Sequence, residues 1–221
     1  MDFRQWLEKM TSQINEWATS RNVSVHELEI EPPVSEERLR VALESLQGDI
    51  PPDLKEFYLT GAAMANVEFT LDIPTELGFK RDWNVKSSLG GGLQIPSPEK
   101  LSRLRQDFAM MVPEPDDPKF EPFLQHGLPL SIYRNSDVML FLKENDALQA
   151  GIYALPYATL MEETFCYRYA GSLSEWLEFL ERSCYIGISW YDVSFWHEDD
   201  RLIPNQKLTD RLKAIIDLGR V

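Results

Sequence analysis

Cysteine is scarce in this chain: its 221 residues include only two, Cys166 and Cys184. Two cysteines do not make a disulfide framework, and their spacing fits no zinc-binding pattern. The N-terminus carries charge from residue 2 and lacks the apolar run of a signal peptide. No stretch approaches the ~18 consecutive apolar residues that a membrane-spanning helix requires. We therefore expect a protein of the cytoplasm that does not associate with membranes.

Basic residues are also in short supply. The chain has 22 Lys and Arg against 36 Asp and Glu, which gives a formal net charge of −14. Such a chain repels phosphate backbones and lacks the clustered Lys and Arg of nucleic-acid-binding proteins, so we expect no nucleic-acid partner. A basic protein would be attracted to it. The alternative interpretation is that the acidic charge only keeps the protein in solution.

The usual motifs of catalysis and cofactor binding are missing. The histidines, His26, His126 and His197, are far apart and stand in no metal-binding pattern. There is no G-x-S-x-G nucleophile motif. Residues 90–92 are glycines, but the Lys of a phosphate-binding loop does not follow them, so we interpret them as a flexible turn. We predict no enzymatic activity, no cofactor and no metal; carboxylates distant in sequence are the remaining route to an enzyme.

Several segments have the apolar spacing of helices. The first covers residues 2–20, where Asp2 can act as N-cap and the apolar stripe predicts packing on the domain, with partner binding as the alternative. A second helix begins after Ser35 and ends at Gly48, and Pro52 then opens a third. Leu39, Leu43 and Leu46 are predicted to line the buried face of the second helix. Further helices are predicted after Ser97, after the capping box Ser172 to Glu175, and over residues 205–218.

Alternation of apolar and polar residues predicts strands. The predicted strands cover residues 67–71, a hairpin over 128–142, and residues 151–155 and 164–169. We predict an α+β fold, with a mostly antiparallel sheet of about five or six strands and helices packed on one face. We predict a single domain over residues 1–221, with a core at 34–182, an N-terminal helix at 2–20 and a C-terminal extension at 185–221.

Aromatic and acidic residues are concentrated near the C-terminus. This composition is typical of a protein-binding hot spot that faces a basic partner. The predicted partner-binding residues are Trp190, Tyr191, Asp192, Trp196, Glu198, Asp199 and Asp200. One alternative is that the two tryptophans cover a sheet edge. A metal site at residues 197–200 is less favoured, because a contiguous run surrounds one ion poorly.

The corner between the second and third helices resembles a known family. It contains Glu44, Leu46, Ile50-Pro51, Leu54 and Phe57-Tyr58. These residues resemble the N-terminal signature of the SUKH superfamily, the family of fungal cell-wall assembly regulators and bacterial toxin-immunity proteins. The segments Gly127 to Leu130 and Ser172 to Leu177 are similar to the hairpin and closing helix of that family. The resemblance covers residues 34–182, and Ala62-Ala63 departs from the family pattern.

The resemblance implies a non-enzymatic α+β binding protein, often an immunity protein that occludes the active site of a secreted toxin. No catalytic residue of the family maps onto this chain. We therefore expect a monomer that neutralises a basic toxin domain. A regulatory or scaffold protein without a toxin partner is the alternative, and an enzyme or small-ligand-binding protein that uses scattered carboxylates is less favoured.

Overall fold

Helices and strands are interleaved along the chain. A computed structural model describes residues 1–46, 50–74, 79–81, 84–86, 88–112, 120–133, 137–143, 149–156, 167–186, 197–198, 201–202 and 206–220. The helices are α1 (Phe3–Trp17), α2 (Glu36–Leu43), α3 (Pro52–Glu56), α4 (Leu101–Met111), α5 (Glu121–His126), α6 (Leu173–Arg182) and α7 (Gln206–Leu218). The strands are β1 (Val23–Glu31), β2 (Met64–Asp72), β3 (Phe79–Arg81), β4 (Asn84–Lys86), β5 (Ser88–Ile95), β6 (Gly127–Tyr133), β7 (Asp137–Leu142), β8 (Gly151–Pro156), β9 (Tyr167–Ala170), β10 (His197–Glu198) and β11 (Arg201–Leu202).

The longer strands form two antiparallel sheets. One has three strands in the order β1-β2-β5, and the other has four in the order β6-β7-β8-β9. The described residues also form two short hairpins, β3-β4 and β10-β11, and an isolated antiparallel bridge between Gly91 and Ile186. The α+β class and the antiparallel pairing are confirmed. The strands are divided between two sheets that adjoin at β5 and β6, instead of forming one sheet of five or six.

Helices cover both faces of the four-stranded sheet. Ile152 and Ala154 of β8 belong to the main core cluster, on the side where α6 lies against the sheet. Tyr153 and Leu155, which alternate with them, belong to a second cluster that contains Phe108 of α4 and residues of α5. The sequence predicts helices on a single face; this sheet is covered on both, because successive side chains of β8 are apolar and point to opposite sides.

Most predicted N-caps are present. Asp2, Ser35 and Ser172 each accept a hydrogen bond from the backbone N–H three residues later, at 3.0–3.2 Å. Ser97 makes no such bond, because a 3₁₀ turn, Pro98–Lys100, precedes α4. The predicted C-cap Gly48 lies outside the described residues. Of the three leucines predicted to line the buried face of α2, Leu39 and Leu46 are buried and Leu43 is half-buried.

Both ends of the chain join the main core. Phe3 and Trp17 of α1 and Ile216 of α7 lie in the same cluster as the sheet residues. The Ser20 hydroxyl donates to the Ile216 carbonyl at 2.7 Å, and the Asn22 amide donates to the Ile215 carbonyl at 2.8 Å. These bonds attach α7 to the segment between α1 and β1. None of the helices in the described part of the chain has the length and apolarity needed to span a bilayer.

The three consecutive glycines lie within a strand, so their interpretation as a turn is wrong. They are part of β5, where Gly91 stands opposite Phe69 of β2. A Cβ atom on Gly91 would lie 2.3 Å from Cζ of Phe69, so the ring occupies the space of the missing side chain. The glycine leaves room for the Phe69 ring over β5, and Trp17 packs against this ring with ring centroids 6.1 Å apart.

Candidate protein-binding surface

The partner-binding residues predicted from the sequence fall almost entirely outside the described residues. Glu198 is described in its backbone, in β10, directly across from Arg201 of β11. The remaining six are Trp190, Tyr191, Asp192, Trp196, Asp199 and Asp200, for which the structure describes no placement. That cluster therefore stays a prediction, and the described residues offer a different surface.

The three-stranded sheet has one buried and one open face. Along β2, the side chains of Ala65, Val67, Phe69 and Leu71 are buried in the core, with at most 1% of their surface exposed. Asn66, Glu68, Thr70 and Asp72 alternate with them, point the other way and are half-buried or exposed. We call this side the open sheet face; it is formed by Ser24, Glu27 and Glu29 of β1, Asn66, Glu68, Thr70 and Asp72 of β2, and Ser88, Gly90, Gly92 and Gln94 of β5, of which Gly92 is buried.

The open sheet face is acidic. Glu27 stands directly across from Glu68, and Glu29 across from Asn66. The sequences of β1, β2 and β5 contain no lysine or arginine. Gly90 and Gly92 carry no side chain, so no side chains project from the β5 part of the face at these two positions. The result is a row of carboxylates on strands that contain no lysine or arginine.

Hydrogen bonds hold the β1 side of the face. The Asn66 amide donates to the Glu27 carboxylate. A ring nitrogen of His26 lies 2.8 Å from the Thr70 hydroxyl. His26 occupies the β-bulge, because the pairing register shifts between Val25 and Glu27. The first histidine therefore has a hydrogen-bonded structural position in an acidic surface.

Two grooves adjoin α4. The smaller, of about 240 Å³, lies at the end of the open sheet face, between Asn66, Gln94 and Lys100. The larger, of about 420 Å³, is lined by Ser45, Leu46, Ser102, Arg105, Gln106, Ala109 and Leu124. Its lining residues supply hydroxyl, amide and guanidinium groups but neither a carboxylate nor a histidine. That lining holds no acid and base pair for proton transfer.

The most strongly shifted pKa values belong to core residues. Burial raises the pKa of the Tyr58 hydroxyl well above its ordinary value, and this hydroxyl donates to the Pro96 carbonyl at 2.8 Å. Burial likewise raises the pKa of the Tyr185 hydroxyl. Both groups are protonated hydrogen-bond donors at neutral pH, as structural tyrosines are. Among the described residues, no group of three or more His, Cys, Asp or Glu side chains is arranged to hold a metal ion.

Neither a protein-family model nor a curated protein sequence matches this chain. The SUKH resemblance therefore remains a prediction that depends on the order of its motifs. The description of the open sheet face does not depend on this resemblance, because it uses only the strand register and the exposure of the acidic residues.

The sequence reasoning missed the open sheet face, because it missed β1. The alternation of Val23 and Val25 changes phase at the bulge, after which Leu28 and Ile30 continue it. Reading the two halves as one strand with an inserted residue would have placed Glu27 and Glu29 on one face. The signal was present, but a bulge hides it from a search for strict alternation.

Proposed function

We propose that this protein binds a basic protein partner through the open sheet face. The observation that carries the proposal is the exposure of Glu27 and Glu29 on paired strands that contain no lysine or arginine. The sheet already fixes the backbone that carries these carboxylates. Their backbone therefore loses little conformational entropy when a partner binds. Complementary charge mainly accelerates association and selects among partners.

We propose a toxin as the partner, since this is what the SUKH resemblance implies. A toxin that acts on nucleic acid requires a cationic surface to hold phosphates. An acidic face laid over that surface would exclude the substrate without any chemistry by the inhibitor. Under this proposal the protein acts as a monomer in the cytoplasm and has no catalytic residue of its own.

Paired charge variants test the surface. Glu27→Gln/Glu29→Gln removes two carboxylates from the open sheet face, and Glu56→Gln/Glu178→Gln removes two exposed carboxylates from helices α3 and α6. Both variants have the same net charge. We expect the first to bind the toxin encoded beside it about five to thirty times more weakly, mainly through slower association, and the second to bind like the natural protein.

The same assay separates the remaining possibilities. Equal weakening in both double variants would mean that only net charge matters and would exclude the open sheet face as the site. Weakening confined to Trp190→Ala/Trp196→Ala would favour the aromatic cluster predicted from the sequence. If co-expression with the neighbouring toxin gives neither a complex nor protection, the immunity proposal is wrong.

A further inference from the structure

Strand β1 is an edge of the three-stranded sheet. It pairs with β2 on one side, and no described strand pairs with its other side. Within the described part of the chain, the backbone bonds that β1 makes outside the ladder lie at its ends, where Val23 N–H donates to the Ser20 carbonyl and the Glu31 carbonyl accepts from Ala63 N–H. Residues 26–29, in the middle, are exposed. An exposed edge presents backbone donors and acceptors to which another strand can add.

The side chains of this edge alternate in chemistry. Glu27 and Glu29 lie on the open sheet face. Leu28 lies on the opposite side, directly across from the fully buried Val67, yet 37% of its own surface is exposed. A strand added beside β1 would cover this leucine and continue the buried face by one strand. The edge therefore favours an incoming strand with polar and apolar residues in alternation.

We propose that residues 27–31 accept an extended segment of a basic protein partner, which adds to the sheet as a further strand. Its basic residues would lie beside Glu27 and Glu29, and an apolar residue would lie beside Leu28. This inference depends on the proposed function and specifies the form in which the partner is bound. Backbone hydrogen bonds supply affinity in this mode, and the alternating side chains supply specificity.

The charge of the edge argues against a second copy of this chain as the occupant. Antiparallel pairing of β1 with β1 would bring Glu27 and Glu29 of one copy beside those of the other, and like charges across strands are destabilising. A segment with lysine or arginine at those positions gains the opposite interaction. The bulge at His26 interrupts the edge and restricts regular pairing to the residues after it.

Two matched peptides test this inference. One is a fluorescein-labelled peptide of alternating lysine and valine, with about seven residues, a common strand length. The other has the same sequence with N-methylated valines, which keeps charge and apolarity but removes backbone donors. Fluorescence anisotropy should give at least tenfold tighter binding for the first peptide. Hydrogen exchange at amides of residues 27–31 should slow only when the first peptide is bound.

Substitution at the edge supplies a further control. Leu28→Thr should weaken the first peptide several-fold, whereas Val41→Thr, which alters a residue of α2 that is 52% exposed, should not. Equal binding of both peptides would overturn strand addition, even if binding still depended on Glu27 and Glu29 as the proposed function requires. Absence of binding by either peptide, or dimerisation of the chain through β1, would also overturn it.

Discussion

Cys184 and Tyr185 both have a φ of 55°, a conformation that residues with a side chain seldom adopt. Their surroundings maintain it. Tyr185 N–H donates to the Leu180 carbonyl at 2.6 Å, and the Tyr185 carbonyl accepts from Gly92 N–H at 2.7 Å. The Tyr185 hydroxyl donates to Gln13 at 2.5 Å. Left-handed backbone costs about 1 to 3 kcal/mol for each such residue, so contacts with α6, β5 and α1 must offset this strain.

Cys184 makes stability sensitive to alkaline pH. Burial raises the pKa of its thiol from 9.0 to about 11. A raised pKa means that the folded protein holds the proton more tightly, so this stabilisation is complete below pH 9 and declines as the pH rises towards 11. We expect the free energy of unfolding to fall by roughly 2 to 3 kcal/mol over that range from this group.

Urea denaturation at a series of pH values would measure this decline. Cys184→Ala should show a shallower decline between pH 9 and 10, before the buried tyrosines contribute strongly. An identical pH dependence in Cys184→Ala and the natural protein would mean that the thiol is not responsible. The comparison uses the slope of the free energy of unfolding against pH, so a constant loss of packing energy in the alanine variant does not affect it.

At the scale of elements, one carboxylate joins the beginnings of two helices. Asp53 lies in the first turn of α3, where one oxygen accepts from Leu54 N–H at 3.0 Å. Its other oxygen accepts from Leu173 N–H, in the first turn of α6. A negative charge at a helix N-terminus is favourable, because the free N–H groups there carry partial positive charge. Asp53 therefore connects the corner to a helix that begins 120 positions later.

Asp53→Ala should lower the free energy of unfolding by about 1 to 2 kcal/mol, since it removes the acceptor at both helix ends. Asp53→Asn keeps an acceptor oxygen and should lose less. Chemical denaturation of the natural protein and the two variants would give the order of their free energies of unfolding. Equal stability of the alanine variant and the natural protein would show that water replaces the carboxylate at no cost.

At the scale of the whole molecule, the core and the proposed binding surface are separate. Phe57 has no exposed surface, and its ring packs against Phe3 with centroids 5.5 Å apart. The chain leaves α-helical pairing at this point, because Ala62 N–H donates to the Phe57 carbonyl five residues back, at 3.0 Å. None of these residues belongs to the open sheet face. Residues that determine the fold of the corner should not determine which partner is bound.

Phe57→Ala should cost about 3 to 5 kcal/mol of stability, as expected for a fully buried phenylalanine. Leu43→Ala should cost less, because Leu43 is only half-buried. At a temperature where both variants remain folded by circular dichroism, each should bind the partner with the affinity of the natural protein. A folded Phe57→Ala protein that no longer binds would contradict this separation.

Local chemistry made part of the fold predictable. The α1 cap, the α2 cap, the Ser172 cap and the hairpin of β6 and β7 follow from residues close together in the chain. The glycines of β5 were wrongly predicted to form a turn, because Gly91 is required by the Phe69 ring of another strand, which the local sequence does not show. The division into two sheets could not be predicted either, since the alternation of apolar and polar residues does not specify which strands pair.

The sequence by itself determined the acidic charge, the α+β class and the positions of most helix starts, because these depend on composition and on contacts within a few residues. Only the tertiary structure decided that Glu27, Glu29 and Glu68 share one face, that both faces of the four-stranded sheet are covered, and that α7 returns to the segment after α1. Each of these depends on strand register or on contacts between distant residues. A single inserted residue at His26 reverses the side on which every later residue of β1 points, and the pairing with β2 shows where that reversal occurs.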